Sequence, residues 1–271
     1  MKSLVNLEIV RGCKNVGCSC FGTTCPQDGG ISYMSEITLS KLLERNGQLS
    51  QVELHDNAIY LYGLGETLEH PNLAKMIGMV RGWRNPQIIV NSDGHYFEGK
   101  TPSIVSEKTA GIDHLVICHK ENRGFLTDEN ISALSPKVCV HLFLLKKATN
   151  EKLIEIDSYI DKIMNKRPDD GFRLAQMWES SFENGLPDES RPAQTFLFGV
   201  ESLPLTKSGE GDEPRAPRRV YVTYQGMFRT CLFAENTDEY RHISDVLETT
   251  KCQSCRLSGE IYALDVRKEV K

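Results

Sequence analysis

Apolar positions along the chain follow two alternating rhythms. Short runs rich in β-branched and aromatic residues occur at LVNLEIV (4–10), AIYLYG (58–63), QIIVNS (87–92), HLVICH (114–119), VCVHLFLL (138–145) and GFRLAQM (171–177), and they predict strands. Between them, SEITLSKLLERNG (35–47), LEHPNLAKMIGMVRGW (68–83), TPSIVSEKTAG (101–111), TDENISALS (127–135) and TNEKLIEIDSYIDKIMNK (149–166) have helical spacing. In the last of these, Leu153, Ile156, Ile160 and Ile163 recur at intervals of three and four, which makes one apolar face. Ser35 and Thr127 are suited to capping helix starts, with Glu36, Asp128 and Glu129 in the first turns; Gly47 and Gly111 are suited to closing helices. Strands alternating with helices predict an α/β fold of parallel βαβ units, either an open sheet or a partial barrel. In both, ligands gather at the carboxyl ends of the strands.

The alternation breaks near residue 180. The stretch 184–219 is rich in Pro, Gly, Glu and Ser and reads as a connection. RRVYVTYQGMFRTCLF then predicts a hairpin turning at Gln225 and Gly226, and TDEYRHISDVLETT a helix leading into KCQSC. The expected organisation is a core domain over 1–183 and a small C-terminal α+β module over 184–271.

Composition narrows the class. The 271 residues, 39% hydrophobic and 25% charged, can bury a sizeable core and are ordinary for a globular protein. No apolar run approaches the ~20 residues of a membrane span. The start, MKSLVNLEIVRGC, has a glutamate inside its apolar run and no cleavage-like site, so a cytoplasmic location is expected. The net charge of −5 argues against non-specific attraction to a phosphate backbone. The one basic run, PRAPRR (214–219), reads as a solvated, proline-stiffened loop, and no clear nucleic-acid site is expected.

The nine cysteines change the picture most. Cys13, Cys18, Cys20 and Cys25 crowd the loop after the first strand; Cys231, Cys252 and Cys255 lie near the other end, with Cys118 and Cys139 inside predicted strands. In a reducing compartment, clustered cysteines more often bind metal or do redox chemistry than form disulfides. Three thiolates can hold an iron–sulfur cluster and leave one iron open; four can hold zinc. A buried free cysteine packs as a small hydrophobe, which accounts for Cys118 and Cys139, although Cys118 and His119 end a strand where a substrate would lie. Strand alternation also puts Cys139, His141 and Phe143 on one face.

The first cysteine loop, Cys13-x4-Cys18-x-Cys20 followed by Phe21, resembles that of the radical S-adenosylmethionine (radical SAM) enzymes, usually C-x3-C-x2-C before an aromatic residue. The outer interval agrees. The middle cysteine is displaced by one position, with Gly17 in its place, so either the loop bulges to present Cys18 or Cys25 substitutes for one ligand. IYLYGLGETLEHPNL (59–73) is similar to the family's glycine-rich turn after the second strand, with Gly63, Gly65 and Glu66 matching and Thr67 in place of the common proline. Glycines let a backbone approach a ligand closely, and carbonyls with a carboxylate accept hydrogen bonds from an ammonium group. IIVNSDG (88–94) resembles the third-strand ending, where Asn91 or Ser92 would lie near SAM. GMFRTC followed later by CQSC is similar to the short auxiliary modules called SPASM or twitch domains, with Cys231, Cys252 and Cys255 as ligands.

The resemblance spans about residues 4–177, plus the C-terminal module. It implies a partial (β/α)6 barrel of the radical SAM type. It also implies a [4Fe–4S] cluster on Cys13, Cys18 and Cys20, S-adenosylmethionine held by Gly63, Gly65, Glu66, Asn91 and Ser92, and a second iron–sulfur cluster in the C-terminal module. The implied activity is reductive cleavage of SAM and hydrogen abstraction from a small molecule, nucleoside or peptide, ending in oxidation, epimerisation or rearrangement. An electron donor such as flavodoxin or ferredoxin would be the partner. The reading from another class is a non-catalytic zinc-binding structural or interaction protein, which leaves GLGET and the repeated βα units without a reason.

Overall fold

The computed structural model describes residues 2–12, 30–92, 94–120, 127–135, 137–143, 218–229 and 240–248, together with Ser158, Lys162 and residues 165–167. The elements in chain order are β1 (Lys2–Leu7), β2 (Val10–Arg11), β3 (Ser32–Tyr33), α1 (Glu36–Leu43), β4 (Glu53–Leu61), α2 (Leu73–Arg84), β5 (Gln87–Ser92), α3 (Pro102–Thr109), β6 (His114–Lys120), α4 (Asp128–Ala133) and β7 (Lys137–Phe143). They continue with β8 (Arg218–Val222), β9 (Phe228–Arg229) and α5 (Ile243–Glu248). A seven-stranded sheet runs in the order β7-β6-β5-β4-β1-β8-β9, and all neighbouring pairs are parallel except β8 and β9. The five strands from β7 to β1 thus follow chain order along the sheet, as successive βα units require. The strand expected at 171–177 and most of the helix expected at 149–166 lie outside the described residues.

One face of this sheet carries the main core. Val5, Leu7, Ile59, Leu61, Ile88, Val90, Leu115, Val220 and Val222 pack with Leu39, Leu73, Met76, Val80, Val105 and Ile131 from the helices. Full burial of each such aliphatic side chain contributes about 1.5–3 kcal/mol. The other face is distinct: Leu4, Ala58, Tyr60 and Ile89 form a separate buried cluster. Alternation places Asn6, Asn91 and Tyr221 on that second face, and they are buried too.

Local chemistry sets the element ends. Ser35 and Thr127 accept hydrogen bonds from the amides of Thr38 and Asn130, as expected of caps. Helix α1 stops at Leu43, before Gly47, which instead opens a short 3-10 turn, Gln48–Gln51. Strand β4 begins five residues earlier than AIYLYG suggests. Its polar entry is tolerated because Asp56 and Asn57 take positive φ values of 52° and 51°, and the register against β1 shifts there between Ser3 and Val5. At the amino end of the strands, Arg81 binds Asp113 and the carbonyls of Pro86 and Gly111, while Arg84 binds the carbonyls of Val52 and Ser50. Helix α2 is thereby braced at the end of the sheet remote from the site.

The hairpin turns as expected, with Gly226 at φ 82°, but it does not stand apart. Strand β8 pairs in parallel with β1 over Leu7 to Ser3, because Val220 and Val222 extend the apolar face that β1 presents. Ile243 and Val246 of α5 enter the same core, and the Ile243 amide donates to Gln48 Oε1 at 2.9 Å. The described parts of 184–271 therefore share the central sheet and its core with the first 143 residues.

Candidate functional site

At the carboxyl end of the sheet, β1 and β4 stay in contact beyond their last strand residues. The Tyr62 amide donates to Leu7 O at 3.1 Å, and the Gly12 amide donates to Leu64 O at 3.0 Å. Gly12 and Gly65 form a parallel bridge. The residue before Cys13 is thus fastened to the glycine-rich turn.

The glycines of that turn owe their identity to this approach. A Cβ on Gly65 would stand 2.5 Å from Gly12 O and 2.7 Å from Val10 O; one on Gly63 would stand 2.3 Å from Glu8 Cγ. The space each glycine leaves is filled by the chain's own atoms, so their first task is to bring two segments together.

Glu66 follows at once and is buried, only 6% exposed. Its Oε1 accepts from the Leu68 amide at 2.9 Å, capping the 3-10 turn Thr67–Glu69, and its Oε2 accepts from Ser92 Oγ at 3.0 Å. Ser92 Oγ in turn accepts from the Gly94 amide at 3.0 Å. The ends of β4 and β5 are joined through this carboxylate. Asn91 and Ser92, adjacent in sequence, point to opposite faces, and only Ser92 meets Glu66. Asn91 belongs to the second face.

Nearby, burial raises the Tyr96 hydroxyl above its usual range, and the negative charges of Glu107, Glu69 and Glu66 add to the shift. The Lys100 and Lys108 ammonium groups each lie 5.5 Å from the Tyr96 ring centre. Carboxylates of Glu66, Glu69 and Glu107 and the ammonium groups of Lys100 and Lys108 thus surround Tyr96 near the end of β5.

Cys13, Cys18, Cys20 and Cys25, and Cys231, Cys252 and Cys255, lie outside the described residues. Among the described residues, no group of three or more His, Cys, Asp or Glu side chains is placed to hold a metal ion. Cys118 of β6 stands in register with His141 of β7, and Val116 with Cys139.

Two residues that the sequence motifs did not single out as site residues hold this end together. Glu8, 2% exposed, accepts from the Leu64 amide at 3.0 Å and the Tyr224 amide at 3.3 Å. His70 also is buried at 2% exposure, within the HP dipeptide that opens α2. Its Nδ1 accepts from the Asn72 amide at 3.1 Å, so the ring proton sits on Nε2, which donates to Met34 O at 3.1 Å. Acceptance at Nδ1 requires the neutral ring, whereas donation from Nε2 to Met34 O survives protonation.

Burial lowers the His70 pKa, and the Met34 bond opposes this only in part. A base with a depressed folded pKa stabilises the protein fully above its unfolded value of ~6.5 and loses that stabilisation as pH falls from there toward the folded value. Urea midpoints of wild-type protein are therefore expected to drop as pH falls below about 6.5. His70→Asn should be less stable at pH 7.5 and show a shallower drop. Equal slopes for the two proteins would remove His70 as a contributor.

No protein-family model matches this sequence, and no curated protein matches it. Among the solved structures that resemble it at low level are two of BtrN. BtrN in an open conformation aligns with a TM-score of 0.35 and 21% identity, over 45% of this chain and 52% of that one. BtrN in complex with AdoMet and 2-DOIA aligns with a TM-score of 0.37 and 19% identity, over 52% of this chain and 56% of that one. The chain spans about half the length of each. Among the described residues, no helix is long and apolar enough to cross a membrane.

Proposed function

We propose that the chain is a radical SAM enzyme that reductively cleaves S-adenosylmethionine and abstracts hydrogen from its substrate. The observation that carries this reading is the bond from the Gly12 amide to Leu64 O. It holds the chain just before Cys13 against the turn that carries Glu66, so a cluster on Cys13, Cys18 and Cys20 would open beside an acceptor for an ammonium group. An ionised carboxylate only accepts, and it offers about four lone-pair positions. Glu66, buried at the end of β4, is thus the acceptor type that an ammonium group needs. The donor types fit the cofactor.

When bound, a [4Fe–4S] cluster with SAM supplies single-electron cleavage and hydrogen abstraction. The chain's own residues do the rest. Glu66 would receive the SAM amino group and Ser92 would hold its carboxylate in place, while the Gly63–Gly65 backbone keeps the turn against β1. Asn91, Asn6 and Tyr221, buried on the face away from the main core, would line the interior of a partial (β/α)6 barrel. Cys231, Cys252 and Cys255 would bind an auxiliary cluster. Its flanks are supported by the bridge between Phe228 and Tyr240, which holds the end of the hairpin against the approach to α5. The substrate class is a small molecule, nucleoside or peptide, and a flavodoxin or ferredoxin would deliver the electron.

One experiment tests the reading. Anaerobically purified protein should be brown, absorb near ~400 nm and release 5′-deoxyadenosine from SAM when reduced. Glu66→Gln should keep its iron while binding SAM more weakly by roughly tenfold or more, the loss of a charge-assisted hydrogen bond of about 1.5–3 kcal/mol. Colourless protein containing zinc would favour the structural zinc reading instead. Unchanged SAM affinity in Glu66→Gln would remove Glu66 from the site.

A further inference from the structure

Glu8 occupies an unusual position for a buried carboxylate. It follows β1 directly and its two oxygens are divided between two different segments. Oε1 accepts from the Leu64 amide at 3.0 Å, in the turn after β4. Oε2 accepts from the Tyr224 amide at 3.3 Å, in the turn between β8 and β9. Its counter-charge is Arg11, whose Nε lies 3.5 Å from Oε1 and whose guanidinium lies 5.5 Å from the Tyr224 ring centre. Gly63 has no side chain where the Glu8 Cγ passes. A buried carboxylate without such donors is costly, so these bonds hold the three segments together.

The Leu64 peptide shows what this controls. Its amide is held by Glu8 and its carbonyl by Gly12, so both sides of one residue are fixed by the chain leaving β1. Leu64 precedes Gly65 and Glu66, and Gly12 precedes Cys13. The spacing between Gly12 and the turn that carries Glu66 is thereby set jointly by the Glu8 bond to the Leu64 amide and the Gly12 bond to its carbonyl. Through Tyr224, the same carboxylate fixes the turn whose second strand leads to Cys231.

We propose that Glu8 is a positioning residue: its carboxylate sets the register of the Gly63–Glu66 turn against Gly12, the residue before Cys13, and ties both to the hairpin that turns at Gly226. This rests on the radical SAM reading above. Glu8 touches neither cofactor nor substrate in this role; it acts through Leu64 and Tyr224.

Glu8→Gln is the direct test, because an amide of the same shape can accept at one oxygen only and turns an NH2 group toward the other amide. In protein without iron, hydrogen exchange at Leu64 and Tyr224 should both quicken, although the two lie far apart in sequence. In reconstituted protein, iron content should equal wild type. SAM affinity should fall about tenfold, and the change that SAM produces in the electron paramagnetic resonance spectrum of the reduced cluster should differ from wild type. A folded Glu8→Gln with wild-type exchange, affinity and spectrum overturns the proposal. If Glu8→Gln does not fold, Arg11→Met supplies the answer from a partly exposed position. It should weaken SAM binding several-fold at full iron content, and wild-type affinity there overturns the proposal equally. Wild-type protein that neither holds iron nor binds SAM would sink the radical SAM reading and this role with it. Wild-type success with an indifferent Glu8→Gln sinks the role alone.

Discussion

Alanine at Cys13, Cys18 or Cys20 is expected to abolish SAM cleavage, while alanine at Cys25 leaves it largely intact. Each of the three thiolates would anchor one iron of the same cluster, and a cluster deprived of an anchor is not partly functional, so the expected loss is to background. The motive is the interval from Cys13 to Cys20 with Phe21 behind it. Gly12, at φ 84°, has the left-handed backbone that favours glycine, and its amide is bound to the turn carrying Glu66. The chain therefore leaves the sheet at a fixed place, one residue before that cysteine. Release of 5′-deoxyadenosine by the four reconstituted variants checks the assignment. Retained cleavage in Cys18→Ala with loss in Cys25→Ala would show that Cys25 supplies the ligand.

The sheet was legible because its signals are local. QIIVNS became β5 residue for residue, and HLVICH and VCVHLFLL each gave a strand within two residues of the apolar run at either end. The caps at Ser35 and Thr127 were legible for the same reason: a hydroxyl placed three residues before an amide is a short-range property. The partnership of β8 with β1 was not legible. It joins residues about 215 apart, and RRVYV alternates just as it would in a free hairpin. Within the site, GLGE pointed to a turn meeting a ligand, but the contact that makes Gly65 glycine is with Gly12, and sequence alone cannot pair them. Ser92 could be separated from Asn91 only when Glu66 was found on one side of β5 and not the other. Glu8 was hidden in an apolar run, where one carboxylate reads as an interruption. Its signal, visible only afterwards, is that a charge at the exit of a central strand demands donors, and the nearest unclaimed ones are the amides of turns that close over it.

Gly65→Ala is expected to lower unfolding free energy by about 2–3 kcal/mol, in the range of an over-packed interior. The new Cβ would lie 2.5 Å from Gly12 O, 2.7 Å from Val10 O and 2.9 Å from Val10 C. All three are backbone atoms, so no side chain can swing aside to admit it. Relief requires the chain leaving β1 to withdraw from the turn, which lengthens the bond between the Gly12 amide and Leu64 O. The variant should therefore lose SAM affinity along with stability. Gly78→Ala is the control, since a Cβ there, on the exposed side of α2, meets nothing within 4 Å. Replacing glycine by alanine within a helix should raise stability by about 0.5–1 kcal/mol. Urea unfolding of the two variants beside wild type measures both shifts. A Gly65→Ala protein as stable as wild type would mean that Val10 and Gly12 can retreat freely, and the close approach of Gly12 to the turn would then not be enforced by the fold.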